Sequence, residues 1–169
     1  MKSIRLISML FVLILSVSVT AEENWRMEQT QGSLEFVKLG YGDMNGKNYR
    51  SLNFVTECLE TDQITQIIPV VKNYNAFDGA KVADAVGKFR GLVDCYEFGR
   101  AGSPILHINI PYWTHQREYY EGPIKGKKIS DTEVEVLINE LKEVFIGRLG
   151  ADEYGRDSIM ERKVYFWWD

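Results

Sequence analysis

The sequence predicts an α+β fold, in which a mainly antiparallel sheet carries one long amphipathic helix on one face. Several short segments alternate apolar and polar residues as strands do, and one segment near the C-terminus keeps helical apolar spacing for about five turns. Helices and strands do not follow one another in the regular order that a parallel βαβ sheet requires. We therefore expect a single α+β domain over residues 22–169.

Residues 1–21 have the order of a secretory signal peptide. Lys2 and Arg5 precede a largely apolar run of roughly 14 residues from Leu6, and small residues end at Ala21 ahead of two glutamates. The run is shorter than the about 20 residues that span a membrane. We expect cleavage after Ala21, export to a Gram-negative periplasm or secretion from another cell, and no stable membrane insertion afterwards. An uncleaved N-terminal anchor is the alternative.

The charge balance argues against nucleic acid as a partner. The chain has 24 acidic and 20 basic residues, a formal charge of −4. Loss of Lys2 and Arg5 with the signal leaves 18 basic residues and a charge of −6. Phosphate backbones attract basic proteins. An acidic exported domain instead suits a basic protein partner, because complementary charges speed association.

Cys58 and Cys95 are the only cysteines in the sequence. In an oxidising compartment such an isolated pair usually forms one disulfide, and closing a loop of about 37 residues stabilises a fold by about 4 kcal/mol. The alternative is Cys95 as a nucleophile with His107 or His115 as its base. The surrounding LVDCYEF is typical of a strand and offers no helix N-terminus to lower the pKa of the thiol. We therefore expect a structural disulfide.

The segment NWRMEQTQGSLEFVKLG is predicted to form a β-hairpin. Apolar residues alternate with polar ones on both sides of Gly32, in the pairs Trp25/Met27 and Leu34/Phe36.

A turn is predicted at Asn45-Gly46, followed by a strand in YRSLNFVTECLE. One face of this strand would carry Leu52, Phe54, Thr56 and Cys58. The next segment, ITQIIPVVKNY, fits a helical face, whereas its β-branched residues and Pro69 favour an edge strand or a broken element.

A shorter helix is predicted over about residues 80–90, and two strands follow it. The helix has apolar residues at helical spacing, namely Val82, Val86, Phe89 and Val93. The segments LVDCYEF and SPILHINIPYW predict the strands, joined by a turn from Gly99 to Ser103. His107 lies between Leu106 and Ile108, so it faces the opposite side of its strand and is expected to be a half-buried histidine rather than a metal ligand.

The long helix is predicted over about residues 130–149. Ser130 and Glu133 have the spacing of a capping box, and Gly150 ends the helix. Its apolar stripe consists of Val134, Leu137, Ile138, Leu141, Val144, Phe145 and Leu149. The C-terminal RKVYFWWD predicts a strand. Since Trp167 and Trp168 face opposite sides, one should pack in the core and the other should be exposed unless a partner covers it.

Common catalytic and cofactor signatures do not occur in the sequence. It contains no HExxH, GxSxG, Walker loop, CxxC, or GxGxxG after a strand. The spacing of His107 and His115 suggests no metal site, and we expect no cofactor. Carboxylates that could supply an acid–base pair are Glu57, Glu60, Asp62, Asp94, Glu97, Glu118 and Glu121. For these residues a solvated surface is the default interpretation.

The strongest candidate for a binding surface is YWTHQREYY, which lies between Pro111 and the Gly122-Pro123 break. Pro111 cannot donate a hydrogen bond to a neighbouring strand, so the chain should leave the sheet there or follow its edge. Tyr, Trp and Arg dominate binding hot spots, because they bury much area at a low entropic cost. The predicted binding residues are Tyr112, Trp113, His115, Arg117, Tyr119 and Tyr120. The alternative is that these rings pack under the long helix as core.

Together these patterns favour a small exported, non-enzymatic binding protein of the inhibitor, immunity-type or accessory-subunit class. It would act on a basic protein partner through an acidic, aromatic-bearing surface. One alternative is a small cell-wall or glycan-active hydrolase that uses carboxylates or His115. Another is a small-ligand carrier with its pocket between helix and sheet. An acidic cluster in a deep groove would favour the enzyme, and a flat aromatic patch would favour the binding protein.

Overall fold

The computed structural model describes residues 3–41, 53–111, 129–157 and 162–169. The helices are α1 (Ser3–Tyr41), α2 (Thr61–Ile67), α3 (Gly79–Lys88) and α4 (Asp131–Lys142). The strands are β1 (Phe54–Val55), β2 (Asn73–Tyr74), β3 (Phe77–Asp78), β4 (Cys95–Ala101), β5 (Ser103–Asn109), β6 (Glu153–Arg156) and β7 (Lys163–Trp167). A 3₁₀ turn, Ile68–Val70, follows α2, and a π-helical segment, Glu143–Arg148, continues α4.

Five of the strands form one sheet in the order β1-β4-β5-β7-β6, and each neighbouring pair is antiparallel. Strands β2 and β3 form a separate antiparallel pair. From β5 the chain passes through α4 to the edge strand β6 and then returns inward as β7. The predicted α+β class with a mainly antiparallel sheet is therefore confirmed.

One face of the sheet packs against the helices. Alternate residues of the three central strands are fully buried there, namely Tyr96, Phe98, Leu106, Ile108, Val164 and Phe166. The Tyr96 hydroxyl donates to the carbonyl of Val86 in α3 at 3.2 Å. The ring of Phe145, just beyond α4, lies 4.9 Å from the ring of Phe166. Helix α3 and the end of the α4 region therefore cover the same face, and each fully buried large apolar side chain contributes about 2 to 3 kcal/mol.

Helix α4 begins at the predicted capping box. The Ser130 hydroxyl accepts from the Glu133 N–H at 3.3 Å, and the Glu133 carboxylate accepts from the Ser130 N–H at 2.7 Å. The buried stripe of the helix is Val134, Leu137, Ile138, Leu141 and Phe145. The α-helical part ends at Lys142, the π-helical segment follows, and Gly150 ends it with a φ of +66°. The predicted helix is confirmed, with its last turns π-helical.

Helix α3 confirms the shorter predicted helix. The Asp78 carboxylate caps it by accepting from the N–H groups of Ala80 and Lys81 at 3.1 and 3.2 Å. Val82 and Val86 are fully buried on its inner side.

The hairpin predicted in NWRMEQTQGSLEFVKLG is wrong, because the whole segment lies in α1. Leu34, Val37 and Tyr41 have the spacing of one helical face, and the last two are buried against the domain. Trp25 and Met27, which gave the alternating pattern, are 58% and 63% exposed. The helical spacing of Leu34, Val37 and Tyr41 therefore describes this segment correctly. The alternation of Trp25 and Met27 occurs by chance among exposed residues.

The strand predicted in YRSLNFVTECLE is shorter than expected, since β1 has two residues. Thr56 is buried and Cys58 is exposed, so the predicted single face does not form. Leu59 makes a separate bridge to Tyr96. Glu60 then caps α2, which ends the extended conformation. Leu52 and the Asn45-Gly46 turn lie outside the described residues.

The ambiguous segment ITQIIPVVKNY begins in α2, continues through the 3₁₀ turn and ends in β2, so its first part is helical and the element is broken after Pro69. Pro69 lies in the first positions of the 3₁₀ turn, where a missing N–H leaves no hydrogen bond unmade. Ile64, Ile67 and Ile68 are fully buried.

The β4–β5 hairpin is tighter than predicted. The strands pair as far as Ala101 and Ser103, and Gly102 between them has a φ of +76°. Gly99, expected to open the turn, lies within β4. A Cβ there would come within 1.9 Å of the Phe54 carbonyl oxygen, so β1 can approach β4 only because this residue is glycine.

The predicted C-terminal strand is confirmed as β7. Trp168 is fully buried and Trp167 is half-buried on the other side, as the alternation indicates. The sequence did not indicate β6, whose four residues pair with β7.

Candidate functional site

The aromatic segment is not among the described residues. The predicted binding residues Tyr112, Trp113, His115, Arg117, Tyr119 and Tyr120 all lie outside them, as do Glu118 and Glu121. The chain enters this segment from β5, through Pro111. Since β5 is central in the sheet, its outward-facing residues belong to the surface described next.

The sheet face opposite the helices is called the open face. It is formed by the residues that alternate with the buried ones, so its members follow from the strand registers. On the three central strands they are Cys95, Glu97, Ile105, His107, Asn109, Lys163, Tyr165 and Trp167. Among the described residues, none of these side chains has a hydrogen bond, ion pair or ring contact with a helix. Ile105 is nevertheless buried, with 8% of its surface exposed. Antiparallel sheets can present one such face to water or to a partner.

An ion pair lies at the centre of the open face. The Lys163 ammonium donates to both oxygens of the Glu97 carboxylate, at 2.7 and 2.9 Å. The amide of Asn109 donates to the same carboxylate at 3.1 Å. Only 16% of the Glu97 side chain and 19% of the Lys163 side chain are exposed. The pair is therefore largely desolvated and holds both side chains in fixed positions.

His107 lies between Glu97 and Tyr165 in the strand register. Partial burial lowers the pKa of its imidazole below the ordinary value, and the nearby Lys163 charge lowers it further. The carboxylates of Glu97 and Asp157 oppose this effect. The imidazole is therefore neutral near pH 7, with one ring nitrogen that donates and one that accepts. This half-buried position, on the side away from Leu106 and Ile108, agrees with the sequence prediction.

The ring of Tyr165 lies beside His107, with 5.9 Å between ring centroids. Its hydroxyl donates to the Glu153 carboxylate at 2.9 Å, and this hydrogen bond raises the pKa of the phenol. A Cβ at Gly155 would come within 2.1 Å of the Tyr165 ring. Any larger residue at position 155 would therefore displace the Tyr165 ring, which lies across the edge strand β6.

Trp167 adds a third ring to the open face, two residues after Tyr165 on β7. Its indole N–H donates to the Ala101 carbonyl at 3.0 Å, which fixes the ring at one end of the sheet. Trp167 pairs with Ile105 in the neighbouring strand. His107, Tyr165 and Trp167 thus present aromatic surface on a rigid support, with their polar atoms positioned by the fold.

Most of the predicted acid–base carboxylates do not meet on this face. Glu57 accepts from Gln29, and Glu60 accepts from Arg26 of α1. Asp62 pairs with Arg90, and the hydrogen bond to that guanidinium lowers the pKa of the carboxyl. Asp94 lies just before β4, and Glu97 alone is central on the open face. Within the described residues, His, Cys, Asp and Glu side chains form no group of three that could hold a metal ion.

The predicted disulfide between Cys58 and Cys95 is confirmed, with 5.5 Å between the two Cα atoms. It joins the segment after β1 to the start of β4. The Asn109 amide, which also binds Glu97, lies 3.5 Å from the Cys58 sulfur. The disulfide therefore borders the open face, and the oxidised state of Cys95 does not support the nucleophile alternative.

A cavity of about 250 Å³ lies away from the open face, on the outer side of α4. It is lined by Gly91, Leu92, Ile129, Thr132, Glu133, Val136, Leu137 and Glu140. It is not the pocket between helix and sheet that the carrier alternative required. Pockets for drug-sized ligands usually have about 300 to 1,000 Å³.

Among the described parts of the chain, no helix is both long and apolar enough to cross a membrane. Comparisons of the chain with protein-family models, with curated proteins and with solved structures found no match.

Sequence reasoning did not assemble the open face. The sequence indicated Glu97, His107, Tyr165 and Trp167 singly, whereas it gave no signal for Asn109 and Lys163. The available signal was the alternation in three strands, which places each residue on one of two faces. The strand registers that bring Lys163 to Glu97 are set by contacts distant in sequence.

Proposed function

We propose that this protein is a small exported, non-enzymatic binding protein that engages a basic protein partner. The interface would combine the open face with the aromatic segment after Pro111. The observation that supports the proposal is the group of three rings, His107, Tyr165 and Trp167, on the sheet face opposite the one that packs against the helices. Rings with polar tips on a rigid surface are the usual composition of binding hot spots. The class of binding protein we propose is an inhibitor, an immunity-type protein or an accessory subunit.

The open face has room for about half of a stable interface. Strands lie about 4.8 Å apart and rise about 3.4 Å per residue, so five strands of up to seven residues cover about 20 by 24 Å. Each partner in a stable complex buries about 800 Å². The remainder has to come from neighbouring surface, and the aromatic segment follows β5 directly in the chain.

The side chains of the open face are already held in place. The bonds from Lys163 and Asn109 to Glu97, from Tyr165 to Glu153 and from Trp167 to Ala101 restrict their rotamers. Binding therefore costs less side-chain entropy than it would for mobile residues, which is about 0.5 to 1.5 kcal/mol for each one ordered. A surface whose side chains are already ordered suits binding to a partner rather than catalysis.

The overall charge supports a basic partner. The acid excess gives the chain a formal charge of −4, whereas the central ion pair of the open face is neutral as a unit. Long-range attraction would therefore come from the whole acidic domain, and specificity from the rings.

Export is part of the proposal, and two features support it. The sequence begins with the pattern of a signal peptide, and the disulfide is of the kind that persists in oxidising compartments. Intact mass of the protein from its own cells tests this part. We expect a chain that starts at or near Glu22 and is lighter by two hydrogens than its reduced form; two alkylatable thiols would contradict export with a disulfide.

The binding proposal is tested by capture of partners from an extract of the same organism, followed by mass spectrometry. The wild type should retain a basic protein, and both Tyr165→Ala and Trp113→Ala should lose it. Truncation of a hot-spot residue costs at least about 2 kcal/mol of binding free energy. Trp25→Ala is the matched control, because Trp25 is an exposed ring on α1 and does not belong to the open face.

Thermal melts of the same variants separate loss of binding from loss of folding. Retention of the partner by the Tyr165 and Trp113 variants, or retention of cell-wall glycan in place of a protein, would contradict the proposal. Glycan retention would instead favour the glycan-active alternative.

A further inference from the structure

The outer surface of the helical layer carries a second feature, where the turn after α3 meets α4. This α3–α4 groove is the 250 Å³ cavity described above. Gly91 and Leu92 form one wall, and one side of α4 forms the other. Because α4 covers the buried face of the sheet, the groove faces away from the open face.

The lining of the groove is apolar and exposed. Leu92 is 44% exposed and Val136 is 54% exposed, whereas Leu137 beneath them is buried. Leu92 and Val136 are two of the few large apolar side chains that are exposed among the described residues. Exposed apolar residues that line a concave surface mark interaction sites more often than scattered ones do.

Among the described residues, Glu140 places a negative charge at the rim of the groove. Helix α4 and its π-helical extension carry three acids that pair with arginines, in the pairs Asp131–Arg162, Glu135–Arg156 and Glu143–Arg148. Glu140 forms no ion pair or hydrogen bond with any described residue, and it lines the groove. Glu133 lines it as well, two turns or about 10 Å away along the helix. Glu140 is therefore an acid of the groove that no described arginine or lysine compensates.

We propose that the α3–α4 groove binds a short segment of a partner protein in which a lysine or arginine lies next to an apolar side chain. The apolar side chain packs between Leu92 and Val136, and the cation reaches the Glu140 carboxylate. The stem of a lysine or arginine is itself apolar, so it can cover Val136 while its head stays in contact with water. This surface goes beyond the open face and uses none of its residues.

The charge of the rim decides among occupants. A lipid headgroup or a nucleic acid presents phosphates, which the Glu140 carboxylate repels. A basic segment gains attraction at the same place, and it does so in an acidic protein that already favours basic partners.

The test is selection of a phage-displayed library of random dodecapeptides on the purified protein. Enriched peptides should combine lysine or arginine with leucine, phenylalanine or methionine. Their affinity should fall about tenfold or more with Val136→Asp, which places a charge against the apolar contact, and about threefold with Glu140→Gln. Two variants on α1 are matched controls, Leu39→Asp at an exposed apolar residue and Glu28→Gln at an exposed carboxylate.

Each other outcome overturns the proposal. If no peptide is enriched, or if the enriched peptides lack cations, the groove does not recognise a basic segment. Peptides that bind Val136→Asp as well as the wild type bind elsewhere, and an equal loss with Glu28→Gln indicates unspecific charge attraction. Loss of binding with Tyr165→Ala would assign the peptides to the open face, so the two proposals fail separately.

Discussion

The two faces of the five-stranded sheet are built from neighbouring residues of the same strands, yet they differ in composition and in packing. Phe98, Leu106 and Phe166 are buried under the helices, whereas Glu97, His107 and Tyr165, each next to one of them in sequence, lie on the open face. The helix-covered face is apolar and closely packed. The open face is polar and aromatic, with its side chains held by hydrogen bonds. Alternation in a strand thus separates the residues that pack in the core from the residues to which we assign binding.

The largest effect should come from truncating a ring on the covered face. Phe166→Ala should lower the free energy of unfolding by about 3 to 5 kcal/mol, because it leaves a cavity beside Phe145 and Tyr154. Tyr165→Ala, the adjacent residue on the open face, should cost about 1 kcal/mol. Urea denaturation of both variants measures the difference. Equal losses would mean that the two faces are not separated as described.

A smaller effect is expected from the ion pair of the open face. Glu97→Gln should destabilise by about 2 kcal/mol, less than the about 3 to 5 kcal/mol of a fully buried pair, because part of both side chains is exposed. The double change Glu97→Gln with Lys163→Met should recover most of the loss, since no charge then remains unpaired. Chemical denaturation measures the free energy of unfolding of the single and double variants. If the losses of the two single variants add up in the double variant, this account is wrong.

The smallest effect should be the pH dependence that His107 contributes. Its pKa in the folded protein is lowered, so the unfolded chain binds this proton more readily than the folded one. Stability should therefore be fully present above the ordinary histidine pKa of about 6.5 and decline as the pH falls below it. Replacement by glutamine should remove this part of the decline. NMR titration reports the pKa directly, and a value above 6.5 for His107 would reverse the sign.

Local signals predicted much of the covered face. The Ser130–Glu133 capping box and the spacing from Val134 to Leu141 are complete within one segment, so α4 could be derived without the rest of the chain. Alternation likewise predicted the sides of His107 and the C-terminal tryptophans. The sequence did not predict helix α1, because Trp25 and Met27 alternate by chance. The spacing of Val37 and Tyr41 indicates a buried helical face only once the sheet edge against which they pack is known.

The candidate site depended on information that a single segment does not contain. Lys163 meets Glu97 across a strand between them, at a sequence separation of 66 residues. The position of Tyr165 depends on Gly155 in β6, a strand that the sequence did not indicate. Pairing registers follow from the packing of the whole sheet, so the residues of the open face were identifiable singly and their arrangement was not.

The central claim is that the open face binds a partner while the covered face maintains the fold. The most direct measurement is the affinity of the captured partner for Trp167→Ala and for Trp25→Ala, by calorimetry on folded protein. The account predicts that Trp167→Ala weakens binding by at least about 30-fold, which corresponds to about 2 kcal/mol, and that Trp25→Ala changes it little. Unchanged affinity for Trp167→Ala, or a larger loss for Trp25→Ala, would contradict it.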